Sequence, residues 1–145
     1  MVPASGTLDP MQLVNVDHVG IAVHDLDAAI DSYRELFGVE PIRRETVEDQ
    51  GVDEAMIPLG GSFVQLLAPL RDDTPVGRFL AARGEGLHHV AYAVADLPAA
   101  LSHLEEHGAD LIDRTPRVGG GGHQIAFVHP KTVGGTLIEL VALGD

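Results

Sequence analysis

Residues 16–23 read VDHVGIAV and residues 87–94 read LHHVAYAV. Sliding one onto the other sets His18 over His89, an offset of 89 − 18 = 71, and carries HDLDAAI (24–30) onto ADLPAAL (95–101). Near the far ends FVQLLAP (63–69) resembles LIELVAL (137–143), which sets Gln65 over Glu139, an offset of 139 − 65 = 74. One module of roughly 55–60 residues therefore occurs twice. Each copy supplies one histidine from its first strand and one oxygen-bearing side chain from its last. A pseudo-two-fold arrangement of the copies would bring these four side chains to one point, and a divalent metal site is the obvious use of such a point.

At 145 residues the chain is expected to be a single structural domain: a leader at 1–13, module one at 14–71, a linker at 72–86 and module two at 87–145. With aromatics at 4% and no Trp, the core must be built from Val, Leu, Ile and Ala. A formal charge of −13 argues against nucleic acid as a partner. The absence of cysteine excludes disulfides, thiolate ligands and a Cys nucleophile, and fits a reducing, cytoplasmic setting. No apolar run approaches the ~18–20 residues that span a bilayer, so no membrane partner is expected. MVPASGTLDPMQL lacks the basic and long apolar stretches of a signal peptide.

Within module one, residues 14–23 alternate as a strand. Asp25 caps a helix over 26–37 that Gly38 stops, with Leu26, Ala29, Ile30, Tyr33 and Phe37 on its apolar face. EPIRRETV, DEAMIPL and SFVQLLAPL read as three further strands, giving βαβββ. Module two repeats this with the strand LHHVAYAV, a helix over 97–107 capped by Asp96, and strands near 109–113, 123–128 and 136–143. In the linker VGRFLAAR predicts a short helix, and Gly119–Gly122 reads as a loop able to close over a ligand. The fold class is α+β, two tandem modules sharing an open eight-stranded mixed sheet. The exposed edges of such a sheet lead to the expectation of a homodimer.

Strand parity assigns faces. Val19, Ile21 and Val23 floor the helix, which leaves His18, Gly20 and Ala22 on the opposite face among small residues. In module two the same count selects His89, Ala91 and Ala93 and turns His88 to the helix side with Val90, Tyr92 and Val94. Gln65 and Glu139 each fall between two apolar residues of an inward face, and Glu54 shares a side with Met56. A polar side chain there is costly to bury without a partner. A lone strand histidine is usually structural; two imidazoles, an amide and a carboxylate at four equivalent positions are harder to explain that way. His24, His103, His107, His123 and His129 read as solvated.

At these residues the chain resembles the vicinal oxygen chelate superfamily and, within it, the methylmalonyl-CoA epimerase family. The carrying motifs are VDHVGIAV, QGVDEAMIPL, VQLLAPL, GEGLHHVAY, FVHPK and GGTLIELV, which span about residues 14–143. The resemblance implies paired βαβββ modules forming a half-barrel around one divalent ion per chain, with His18, Gln65, His89 and Glu139 as ligands. It implies an acid–base pair of Glu54, from the QGV-x-E spacing, and Glu139. It implies an isomerase that epimerises methylmalonyl-CoA at C2, with another enzyme of the superfamily (a glyoxalase-type lyase or an ethylmalonyl-CoA epimerase) or a small-molecule-binding protein of the same fold as the alternatives. The mixed N and O ligand set suits Co²⁺ first, with Mn²⁺, Ni²⁺ or Zn²⁺ as other candidates. Lys131, Arg83 and Arg117 are candidate contacts for coenzyme A phosphates. PRVGGGGHQ, and Asp49 in place of the more usual Glu, depart from the family pattern away from the metal positions.

Overall fold

The computed structural model describes residues 11–143; the expected leader lies outside the described residues up to position 10, as do residues 144–145. Strands β1 (Leu13–Ala22), β2 (Arg43–Val47), β3 (Val52–Leu59) and β4 (Ser62–Pro69) come with helix α1 (Leu26–Phe37) between the first two. Helix α2 (Pro75–Arg83) follows in the linker. Then come β5 (Gly86–Val94), α3 (Leu97–Glu106), β6 (Arg117–Val118), β7 (Gln124–Val128) and β8 (Ile138–Ala142). All eight strands belong to one mixed sheet in the order β2-β3-β4-β1-β5-β8-β7-β6. Packing divides the chain into two compact units. One is His18–His89; the other joins residues 11–17 to residues 90–143.

In the first unit, Asp25 accepts the N–H of Ala28 at 3.1 Å and starts α1. Gly38 ends the helix at φ 67°, a left-handed conformation glycine adopts without strain, and gives its N–H to Arg34. Leu26 and Ile30 bury the helix against Val23, Ala55, Ile57, Val64, Leu66 and Ala68. Val19 and Ile21 pack on the same cluster, as parity requires. β1 and β4 run parallel with Gly20 opposite Gln65, and β3 and β4 run antiparallel with Met56 opposite Gln65. On the other sheet face α2 seats Val76 and Leu80 against Ala22, Val52 and Leu67.

The second unit repeats the plan. Asp96 accepts the N–H of Ala99 at 3.1 Å, and Leu97, Ala100 and Leu101 pack on Val94, Ala126, Val128, Ile138 and Leu140. β5 and β8 run parallel with Ala91 opposite Glu139. The sequence match of Gly20 to Ala91 and of Gln65 to Glu139 is thus also a match of strand register. One expected strand differs. Residues 109–113 form no ladder, only a single bridge from Leu111 to Val128, and the paired strand is the two-residue β6. Ile112 and Asp113 both direct their N–H groups to the one carbonyl of Phe127, and the Asp113 carboxylate accepts the Phe127 N–H at 2.9 Å. A side chain thus takes the place of a ladder partner. The glycine run holds a 3-10 turn at Gly120–Gly122, with the N–H of Gly119 bonded to the carbonyl of His123 at 2.8 Å.

Candidate active site

Among the described residues only six polar or charged side chains are buried: His18, Glu54, Gln65, Thr74, His89 and Glu139. Thr74 is accounted for by its fold role, since its hydroxyl caps α2 by accepting the N–H of Gly77 at 3.1 Å. The other five are the residues that sequence reasoning singles out. Burying such groups costs a few kcal/mol each unless they are paired, so their shared burial demands a reason.

In the first unit the two imidazoles meet. His18 Nε2 and His89 Nε2 are 3.1 Å apart, with the rings edge to face at 89°. Gly20 makes this approach possible. A Cβ at position 20 would stand 2.5 Å from Nδ1 and 2.8 Å from Nε2 of His89, so any larger residue would collide with the ring. On the same face Gln65 donates from Nε2 to a carboxylate oxygen of Glu54, which is 1% exposed. Its amide oxygen Oε1 is buried with no hydrogen-bond partner among the described residues. A carboxylate accepts and does not donate, so the contact to Glu54 fixes the amide with its oxygen turned away as a free acceptor.

These residues fit a divalent cation. Two imidazole nitrogens bound at right angles to one ion at about 2.1 Å stand about 3.0 Å apart, close to the observed separation. The orphaned Gln65 oxygen is a hard ligand with nothing else to bind. In the second unit, Glu139 is a buried carboxylate on β8 flanked by the apolar Ile138 and Leu140.

The structure departs from the sequence reading at His88 and His129. His88 does not join the helix-side cluster of Val90 and Tyr92. It is half-buried, with its ring edge-on to Phe79 of α2 at 4.9 Å and its Nδ1 3.0 Å from Nδ1 of His89. Parity alone could not find that contact, because it depends on where the linker helix packs. His129 is not simply solvated: its Nδ1 accepts the N–H of Lys131 at 3.2 Å and caps the turn that follows. The three candidate coenzyme A contacts all have protein partners. Lys131 pairs with Asp110 at 2.9 Å and holds that carboxyl below its usual range; Arg83 lies over the Phe79 ring; Arg117 lies over Phe127 and 3.6 Å from Asp113. No helix among the described residues is long and apolar enough to cross a membrane.

Residues 17–127 match the model of the glyoxalase/bleomycin resistance protein/dioxygenase superfamily, and the chain belongs to it. Within that class the chain belongs to the methylmalonyl-CoA epimerase family. It is 38% identical over 127 residues to the ethylmalonyl-CoA/methylmalonyl-CoA epimerase of Cereibacter sphaeroides, covering 86% of this chain and 95% of the relative. A variant of the Streptomyces coelicolor methylmalonyl-CoA epimerase, solved with 2-nitronate-propionyl-CoA, is 42% identical with a TM-score of 0.89 over 92% of this chain and 97% of its own. A methylmalonyl-CoA epimerase in complex with methylmalonyl-CoA and NH4+ matches with the same identity, coverage and score.

Proposed function

We propose that this protein is an isomerase that epimerises methylmalonyl-CoA at C2 with the help of one divalent metal ion, held by His18, Gln65, His89 and Glu139. The observation that carries the reading is that, Thr74 apart, the buried polar side chains among the described residues are two imidazoles, an amide and two carboxylates. His18, His89 and Glu139 are buried side chains of the kinds that ligate divalent ions, and the Gln65 amide oxygen is a further donor of that kind. The relatives named above act on, or are solved with, acyl-CoA ligands, which supports the substrate class.

Epimerisation removes a proton beside a thioester and returns it to the opposite face of a planar enolate. When bound, the divalent ion would supply Lewis-acid stabilisation of the charge that develops on the thioester oxygen. Glu54 is one proton carrier. Its carboxylate is shielded from water and aimed by the Gln65 N–H, so it is held ready at a fixed place. Glu139 is the second carrier, being the only other buried carboxylate among the described residues. One of the two starts each turnover ionised and the other protonated, and the roles exchange as the product forms.

The test is solvent exchange. Purified protein loaded with Co²⁺ is incubated with racemic methylmalonyl-CoA in deuterated water. We expect deuterium at C2 of both stereoisomers, lost on chelation and restored by added Co²⁺. Absence of exchange with the metal-loaded protein refutes the reading. The same assay with ethylmalonyl-CoA sets the chain-length preference, a difference of one methylene worth about 1–3 kcal/mol. We further propose a cytoplasmic homodimer, which light scattering checks by a mass twice the 15.3 kDa of the chain.

A further inference from the structure

Both ring nitrogens of His89 are engaged. Nε2 faces His18 Nε2 at 3.1 Å, and Nδ1 faces His88 Nδ1 at 3.0 Å. A neutral imidazole carries a single N–H, so His89 can donate in only one of these two directions. If its hydrogen sits on Nε2, the lone pair that would bind a cation is gone. If the hydrogen sits on Nδ1, Nε2 is a ligand and the hydrogen must find an acceptor on the His88 side.

We propose that His88 is a positioning residue that accepts the Nδ1–H of His89 and so holds His89 in the tautomer whose Nε2 can bind the divalent cation. The inference rests on the metal reading given above. His88 then carries its own hydrogen on Nε2 and presents the Nδ1 lone pair. Its orientation is fixed from outside the site. The His88 ring stands at 73° to Phe79, and the guanidinium of Arg83 covers that phenyl ring 5.7 Å from its centroid. Phe79 belongs to α2, the helix between the two repeats, which packs with the first unit. The linker helix therefore acts on the metal ligand through one intervening ring. A metal-bound histidine commonly gives its second N–H to such a partner, and losing the partner weakens metal binding by about 10–100-fold.

The experiment compares Zn²⁺ affinity, by competition with a chromophoric chelator, for the wild-type protein, His88→Ala and His88→Asn. The Asn side-chain oxygen can stand near where Nδ1 stands and accept the same hydrogen. We expect binding about 10–100-fold weaker in His88→Ala and largely regained in His88→Asn. The second arm needs no variant. Imidazole ¹⁵N–¹H correlation spectra of the Zn²⁺-loaded wild type are expected to show His89 protonated at Nδ1 and His88 at Nε2. Equal affinity in wild type and His88→Ala, a loss that Asn does not rescue, or a proton on His88 Nδ1 overturns the proposal while leaving the metal reading intact. Wild-type protein that binds no Zn²⁺ overturns the metal reading, and the proposal with it.

Discussion

In the first unit, β3 and β4 set Met56 opposite Gln65 and Glu54 opposite Leu67. In the second, β7 and β8 set Phe127 opposite Glu139 and Ile125 opposite Val141. The same register position is therefore a carboxylate at Glu54 in one unit and an isoleucine in the other. Around Ile125 the face is apolar, packed from Ala91, Phe127 and Val141. Around Glu54 it carries a hydrogen-bonded pair with Gln65. The repeat keeps the backbone and the proposed ligand positions but not the buried carboxylate of Glu54. A two-base reaction then has only Glu139 available on the second unit's inner strands. Two further asymmetries follow the same line: Gly20 corresponds to Ala91, and α2, which covers the first unit, has no counterpart among the described residues of the second.

The proposed ligand histidines, His18 and His89, stand where the two halves agree, and breaking either should have the largest effect. His18→Ala and His89→Ala are each expected to lose the bound ion, about one per chain, and with it all metal-dependent exchange. Metal analysis of the purified variants checks this. Retention of a full ion by either variant removes that histidine from the ligand set.

The next test uses the position where the halves differ. Glu54→Gln should keep its contact to Gln65, since an amide oxygen can accept the same N–H, and should keep metal and fold. Turnover should fall by about 10²–10⁴, the usual contribution of a general acid–base group. Deuterium should still enter one stereoisomer without inversion, because the other carrier survives. At the equivalent site, Ile125→Val should cost about 0.5–1.5 kcal/mol of stability and leave turnover nearly unchanged. Normal turnover in Glu54→Gln, read beside metal content, would show that Glu54 carries no proton.

Much of the fold was legible in the sequence. Asp25 and Gly38 bracket α1 because a cap and a left-handed terminator leave little freedom, and parity placed His18, Gly20 and Ala22 on one face because strand period is fixed. The pattern faded where side chains replaced backbone pairing. Asp113 taking the Phe127 N–H converts an apparent strand into a bridged turn, and Thr115–Pro116 then delays pairing until Arg117. It also faded where a contact crosses between elements that no period relates, as with Phe79 of α2 and His88. Sequence gives room beside Gly20; only packing says that the ring of His89 fills it.

Exchanging the small residues of the two halves gives the finest test. Gly20→Ala puts a methyl into the imidazole of His89, and that ring is buried and held at both nitrogens. Overpacking of this kind costs about 1–3 kcal/mol, and the ring must move to relieve it. The variant is expected to melt lower and to bind Zn²⁺ at least about tenfold more weakly, because a shifted ring forfeits the second-partner geometry that sustains ligand orientation. Ala91→Gly in the other half removes a buried methyl that packs with Ile125, Phe127 and Val141. It should cost only about 0.5–1 kcal/mol through backbone entropy, plus the lost methyl packing, and leave Zn²⁺ affinity unchanged. Thermal melts and chelator competition on the two variants separate the effects. Equal metal affinity in Gly20→Ala and Ala91→Gly would mean that the glycine is an accident of duplication and that His89 has other room for its ring.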